Sequence, residues 1–127
     1  MSVAYLDTHV AVFLHAGAVE ELSREAARQI ESNDLLVSPM VFLELEYLRE
    51  RRAINADART ILADLSTDFG VALCQISLAR VARESIDLDW VRDPFDRLIV
   101  ANARANGNAV LITRDRLIRR HYPRSAW

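Results

Sequence analysis

No lysine occurs among the 127 residues, and all sixteen basic side chains are arginine. That absence excludes a Walker-type phosphate loop, which needs its lysine, and Schiff-base chemistry. An arginine-only composition reads first as base composition of the genome. Even so, guanidinium forks pair with phosphates and with carboxylates better than ammonium groups do. Cysteine is nearly absent too. The single Cys74 makes no internal disulfide, and in the apolar run VALC it reads as a small buried hydrophobe. No apolar run approaches the roughly 20 residues of a membrane span. MSVAYLDTHV has neither a basic leader nor a small-residue cleavage site, so no signal peptide is expected. The net charge of −2 gives no global basic field of the kind that announces a nucleic-acid binder. What remains is 51% apolar and 27% charged, the profile of a globular protein suited to a reducing cytoplasm. The length is that of one domain, 1–127, able to bury a core without staples.

Along the chain, strand and helix patterns alternate. Val3 to Leu6 is a short apolar strand, and Thr8 to Leu14 a short helix. Val19 to Ser32 places Leu22, Ala26, Ala27 and Ile30 at helical spacing. Leu35 to Val37 is a second strand. Ser38-Pro39 then opens a helix to about Arg52, with serine as cap and proline in the first turn. Asn55-Ala-Asp57 opens another helix, Gly70 to Cys74 is a third strand, and Ser77 caps a helix through Ile86. Asp93-Pro94 starts a helix that ends near Asn106-Gly107. Ala109 to Thr113 is a fourth strand, Asp115 to Arg120 a last short helix, and the tail HYPRSAW an edge-strand candidate. This alternation predicts a three-layer α/β/α sandwich around a parallel sheet of four to five strands. There is no linker, repeat or low-complexity segment.

Ligands of open parallel sheets collect at the carboxyl ends of the strands. Asp7 follows the first strand directly, and Asp115 lies two residues past the last core strand in LITRD. Taken singly, either could simply cap a helix. Glu44 differs, because it lies in PMVFLELEYL on the face of Met40, Val41 and Leu48. A carboxylate there needs a partner, and a cation or an arginine would serve equally. Glu46 points elsewhere and reads as solvated beside Arg49. In RDPFDRL, Asp93 reads as the helix cap and Pro94 as the first helical residue. Asp96 occupies the third position, where its short side chain reaches back poorly to close a capping box. Four acids converging on one pocket would repel one another unless cations neutralised them. Hard oxygen ligands without cysteine or a histidine pair select magnesium or manganese. Phosphodiester hydrolysis is the chemistry such a site does best.

These stretches, YLDTHV, SPMVFLELEYL, RDPFDRLIVANA and LITRD, are similar in order and spacing to those of PIN-domain ribonucleases, of the kind found as VapC toxins of bacterial toxin–antitoxin pairs. The resemblance covers essentially the whole chain. It implies a parallel α/β/α sandwich, Mg²⁺- or Mn²⁺-dependent endonuclease action on RNA, homodimers, and neutralisation by a cognate antitoxin. Carried over residue by residue, it implies that Asp7, Glu44, Asp96 and Asp115 are the catalytic and metal-holding acids. Asp93 stands beside the site as an accessory acid, and Thr113 would orient a water. His9 would be a packing or hydrogen-bonding neighbour. Among the arginines next to the acids, Arg92, Arg97, Arg114 and Arg116, phosphate contact competes with plain solvated charge. The expected product carries a 5′-phosphate, because water and not the 2′-hydroxyl attacks.

Two enzyme alternatives fail on residue type. A haloacid-dehalogenase-like phosphatase wants a second aspartate where His9 stands, and a lysine. A receiver domain wants a lysine and a paired acid. The remaining rival is a PIN fold that binds RNA or protein without cutting. For it, the segments Val19 to Ser32 and Met40 to Arg52 would offer partner surfaces.

Overall fold

The computed structural model describes residues 2–127. Five strands form one sheet: β1 (Val3–Leu6), β2 (Asp34–Val37), β3 (Ala72–Leu73), β4 (Val110–Ile112) and β5 (Ser125–Ala126). Their spatial order is β3-β2-β1-β4-β5, and every pairing is parallel. Seven α-helices join them: α1 (Thr8–Ala16), α2 (Arg24–Ser32), α3 (Pro39–Glu50), α4 (Ala58–Phe69), α5 (Leu78–Ser85), α6 (Pro94–Ala105) and α7 (Arg116–His121). Successive residues of a strand face opposite sides of the sheet. Ala4, Tyr5 and Leu6 are all fully buried, as are Leu111 and Ile112, so helices cover both faces. The expected α/β/α sandwich is present, with five strands.

The helices begin where the sequence supplies caps. Ser38 accepts from the Met40 N–H at 3.1 Å with Pro39 in the first turn, and Ser77 accepts from the Arg80 N–H at 3.2 Å. Two expectations need adjustment. The long helix over Val19 to Ser32 is instead a single 3₁₀ turn, Val19–Glu21, followed by α2. Ser23 breaks it because its hydroxyl accepts from the Ala26 N–H at 3.0 Å and caps α2. The strand expected from Gly70 is shorter because Gly70 is the C-cap of α4. Its φ of 70° places it in the left-handed region, and its N–H returns to the Ser66 carbonyl at 3.0 Å.

α6 is buried at five successive residues, Ile99, Val100, Ala101, Asn102 and Ala103. Its small side chains let it sit within the packed layers, against α3 and α5. Asn102 is held there by a buried polar chain. The Ser38 hydroxyl donates to its amide oxygen at 2.6 Å, and its own N–H₂ donates to Cys74 Sγ at 3.3 Å. The Tyr5 hydroxyl also donates to Cys74 Sγ, at 3.0 Å. Cys74 is therefore a buried acceptor as well as a small hydrophobe. No buried side-chain polar atom among the described residues is left without a partner.

Candidate active site

In this strand order, the chain leaves β1 toward β2 and β3 and later returns to β4 on the opposite side. The switch point lies between β1 and β4, where a crevice forms at the carboxyl ends of the strands. Asp7 is the first residue after β1, and Thr113 and Asp115 follow β4. Asp7 and Asp115 therefore both stand at the carboxyl edge of the sheet, on either side of this crevice.

Asp7 is 3% exposed, so its carboxylate needs partners. Oδ1 accepts from the Thr8 N–H at 2.8 Å, capping α1, and Oδ2 accepts from the Thr113 hydroxyl at 2.6 Å. Thr113 Oγ1 in turn accepts from the Asp115 N–H at 3.0 Å. One hydroxyl thus ties the first acid to the last. Thr113 had been expected to orient a water, but its proton is engaged by Asp7. Asp115 is itself a cap, accepting from the Ile118 N–H at 2.9 Å, with its second oxygen left for other work.

Glu44 is half-buried on α3, and its partner among the described residues is neither arginine nor histidine. It accepts from the Thr8 hydroxyl, and burial pushes its carboxyl above the usual range, with Asp7 and Asp93 adding repulsion. Glu46 is less free than expected. It pairs with Arg49 and accepts the Ala58 N–H at 3.1 Å, joining α3 to the start of α4. Asp93 caps α6, accepting from the Asp96 N–H at 3.0 Å. Asp96 itself is half-buried and makes no such bond. Burial first, and then the charges of Asp7, Asp93, Asp115 and Glu44, push its carboxyl up to about 7. Four acids are near enough to act on this one group.

His9 Nε2 accepts the Arg114 N–H at 3.0 Å, so the ring proton is on Nδ1, which lies 3.8 Å from Asp7 Oδ2. Burial holds His9 below the usual imidazole range. A neutral imidazole packed edge-on to Phe13 and Trp127 is a neighbour of the site rather than its base. The arginines divide. Arg97 is a correction. Instead of reaching for phosphate, its Nε donates to the Ser85 carbonyl at 2.8 Å, Nη2 to Ile86 at 3.2 Å and Nη1 to Val91 at 3.4 Å. It staples the loop before α6. The Arg114 guanidinium lies 4.9 Å over the Phe13 ring, half exposed beside His9, and Arg92 and Arg116 are exposed. Sequence reasoning missed Thr8. Its position after Asp7 was visible, but its bond to Glu44 spans 36 residues.

The donors are all hard oxygens without a counter-cation, which fits Mg²⁺ or Mn²⁺ chemically. No three acidic, histidine or cysteine side chains among the described residues are grouped tightly enough to hold one ion as they stand. The donor chemistry fits a divalent ion, while the side chains as placed do not close around one.

The family model for the PIN domain matches residues 4–122. Ribonuclease VapC22 of Mycobacterium tuberculosis is 32% identical over 128 residues, covering 98% of this chain and 96% of that protein. In fold, the chain is similar to VapBC2 from Rickettsia felis bound to a promoter DNA fragment, with TM-score 0.67, 17% identity, and 97% and 95% of the two chains covered. It is similar also to a toxin–antitoxin complex from Klebsiella pneumoniae, with TM-score 0.65, 22% identity, and 96% and 94% covered. At these identities the solved structures speak to the fold alone.

Proposed function

The chain belongs to the PIN domain family, and from that premise we propose that it is a metal-dependent endoribonuclease, the toxin of a type II toxin–antitoxin pair. The observation that carries the proposal is the half-buried Asp96 facing Asp7, Asp93, Asp115 and Glu44: burial first, and then those charges, push its carboxyl up to about 7. Perturbed acids at a sheet's switch point mark a working site. Asp7, Glu44, Asp96 and Asp115 would hold Mg²⁺ or Mn²⁺, which when bound supplies an acidified water and neutralises phosphate charge.

The chain's own residues supply orientation. Thr113 and the Thr8 N–H fix both oxygens of Asp7, and the Thr8 hydroxyl fixes Glu44. Asp115 is held as a cap with one oxygen free. Asp96 gives up its proton only near neutrality, so that carboxyl is fully charged only above it. Arg114 and Arg116 are the phosphate contacts beside the acids; Arg97 is not among them. A cognate antitoxin and a second copy of the chain are the protein partners. Exposed Leu43 and Tyr47 on α3 and Leu78 on α5 support such surfaces.

The test is incubation of antitoxin-free protein with total cellular RNA in Mg²⁺ or Mn²⁺, against EDTA, Asp7→Asn, Asp96→Asn and Asp93→Asn. Discrete fragments with 5′-phosphate ends are expected, lost with EDTA and with the Asp7 and Asp96 changes but kept with Asp93→Asn. A folded protein that neither cuts RNA nor binds Mn²⁺ would be a binding module instead.

A further inference from the structure

RNA entering the acid pocket brings phosphates on either side of the reacting one, and the carboxylates repel them. A groove of about 550 Å³ runs between α2, α7 and β5, and it is lined by Arg116, Arg119, Arg120, Arg124 and Trp127. Arg116, Arg119 and Arg120 stand three and four residues apart on α7, so they share one helix face. None of these four makes an ion pair among the described residues. The acid that lines the groove, Glu25, is already held by Arg28 at 2.6 and 2.8 Å and by Gln29 at 2.9 Å. Arg124 makes one bond, from Nε to the Asn108 carbonyl at 3.4 Å, and the four guanidiniums without a counter-charge make a local cationic field in a chain of net charge −2.

Two residues of the groove border the site. Arg116 follows Asp115 directly. The Trp127 indole packs edge-on to His9 with ring centroids 6.1 Å apart, and His9 adjoins Asp7. We infer that this groove is the track for single-stranded RNA, with the α7 arginines and Arg124 taking phosphates that flank the scissile one and Trp127 offering a base-stacking face. The inference rests on the ribonuclease reading. Cations for the backbone with an aromatic beside them are the pattern of a single-strand groove. An acidic peptide would use the arginines but has no need of the stacking face or of the join to the acids.

The experiment follows binding of a labelled single-stranded oligoribonucleotide of mixed sequence in EDTA, by anisotropy, across a salt series. Arg119→Gln combined with Arg120→Gln should weaken binding about tenfold or more at low salt. It should also lower the slope of log Kd against log salt by about 1.4, at roughly 0.7 per phosphate contact on single strands. Arg59→Gln, on exposed α4 surface, should leave the slope unchanged. In Mg²⁺ the double variant should show a raised KM and an unchanged kcat. An unaltered slope with an intact fold overturns the track. If the parent still cuts RNA, the nuclease reading survives that result; if the parent neither binds nor cuts RNA, both fail. Loss of binding to a glutamate-rich peptide with RNA binding intact also overturns the track, and makes the groove a protein-docking surface.

Discussion

At Asp96 a half-buried carboxyl faces four other acids, and its proton is held to about pH 7. The unfolded chain releases that proton near pH 4. The folded state therefore binds the extra proton between these values. The stability it confers is present at low pH and is lost as pH rises through 7. Asp96→Asn should flatten the fall in Tm between pH 5 and pH 8 in EDTA, and should stabilise the protein at pH 8. A gain on the order of 1–2 kcal/mol is expected, discounted for the group's partial exposure. Thermal melts at the two pH values decide it, and the same variant should lose cleavage. Thr113→Val is the complementary case. It removes a fully buried hydroxyl that holds both Asp7 and Asp115. About 1–3 kcal/mol of stability should go, measured by urea denaturation, together with activity.

Elements set which of these roles a reader of the sequence could see. Asp7 and Asp115 were legible because each follows a strand within three residues, and strand ends of parallel sheets face one edge. Glu44 was legible as a charge in an apolar run. Its partner was not, because neither arginine nor cation but a threonine on α1 meets it. Arg97 misled for a similar reason. Adjacency to Asp96 suggested phosphate, while the side chain curls onto the loop between α5 and α6 and takes three carbonyls. That loop carries Trp90, which stacks on His121 at the end of α7 with ring centroids 5.0 Å apart. Arg97→Gln should therefore cost about 1–3 kcal/mol and raise amide hydrogen exchange over residues 86–92. Unchanged exchange there would mean that the stacked pair alone holds the loop.

For the whole molecule, the five acids at one edge make divalent cations a stabiliser. Mg²⁺ at a hundredfold excess over its Kd should add about 2.7 kcal/mol of apparent stability. The gain should be larger at pH 8 than at pH 6, because protons compete at Asp96, and it should vanish in Asp7→Asn. Differential scanning with and without EDTA checks this. The sheet order has a further consequence, in time rather than in space. β1 is the central strand, and its neighbour β4 comes more than a hundred residues later, with the Asp7 N–H bonded to the Ile112 carbonyl at 3.0 Å. Such distant pairing folds slowly. A chain that has formed the segments bearing Asp7, Glu44 and Asp96 has therefore not yet gathered all four acids, because Asp115 is seated only when β4 docks on β1.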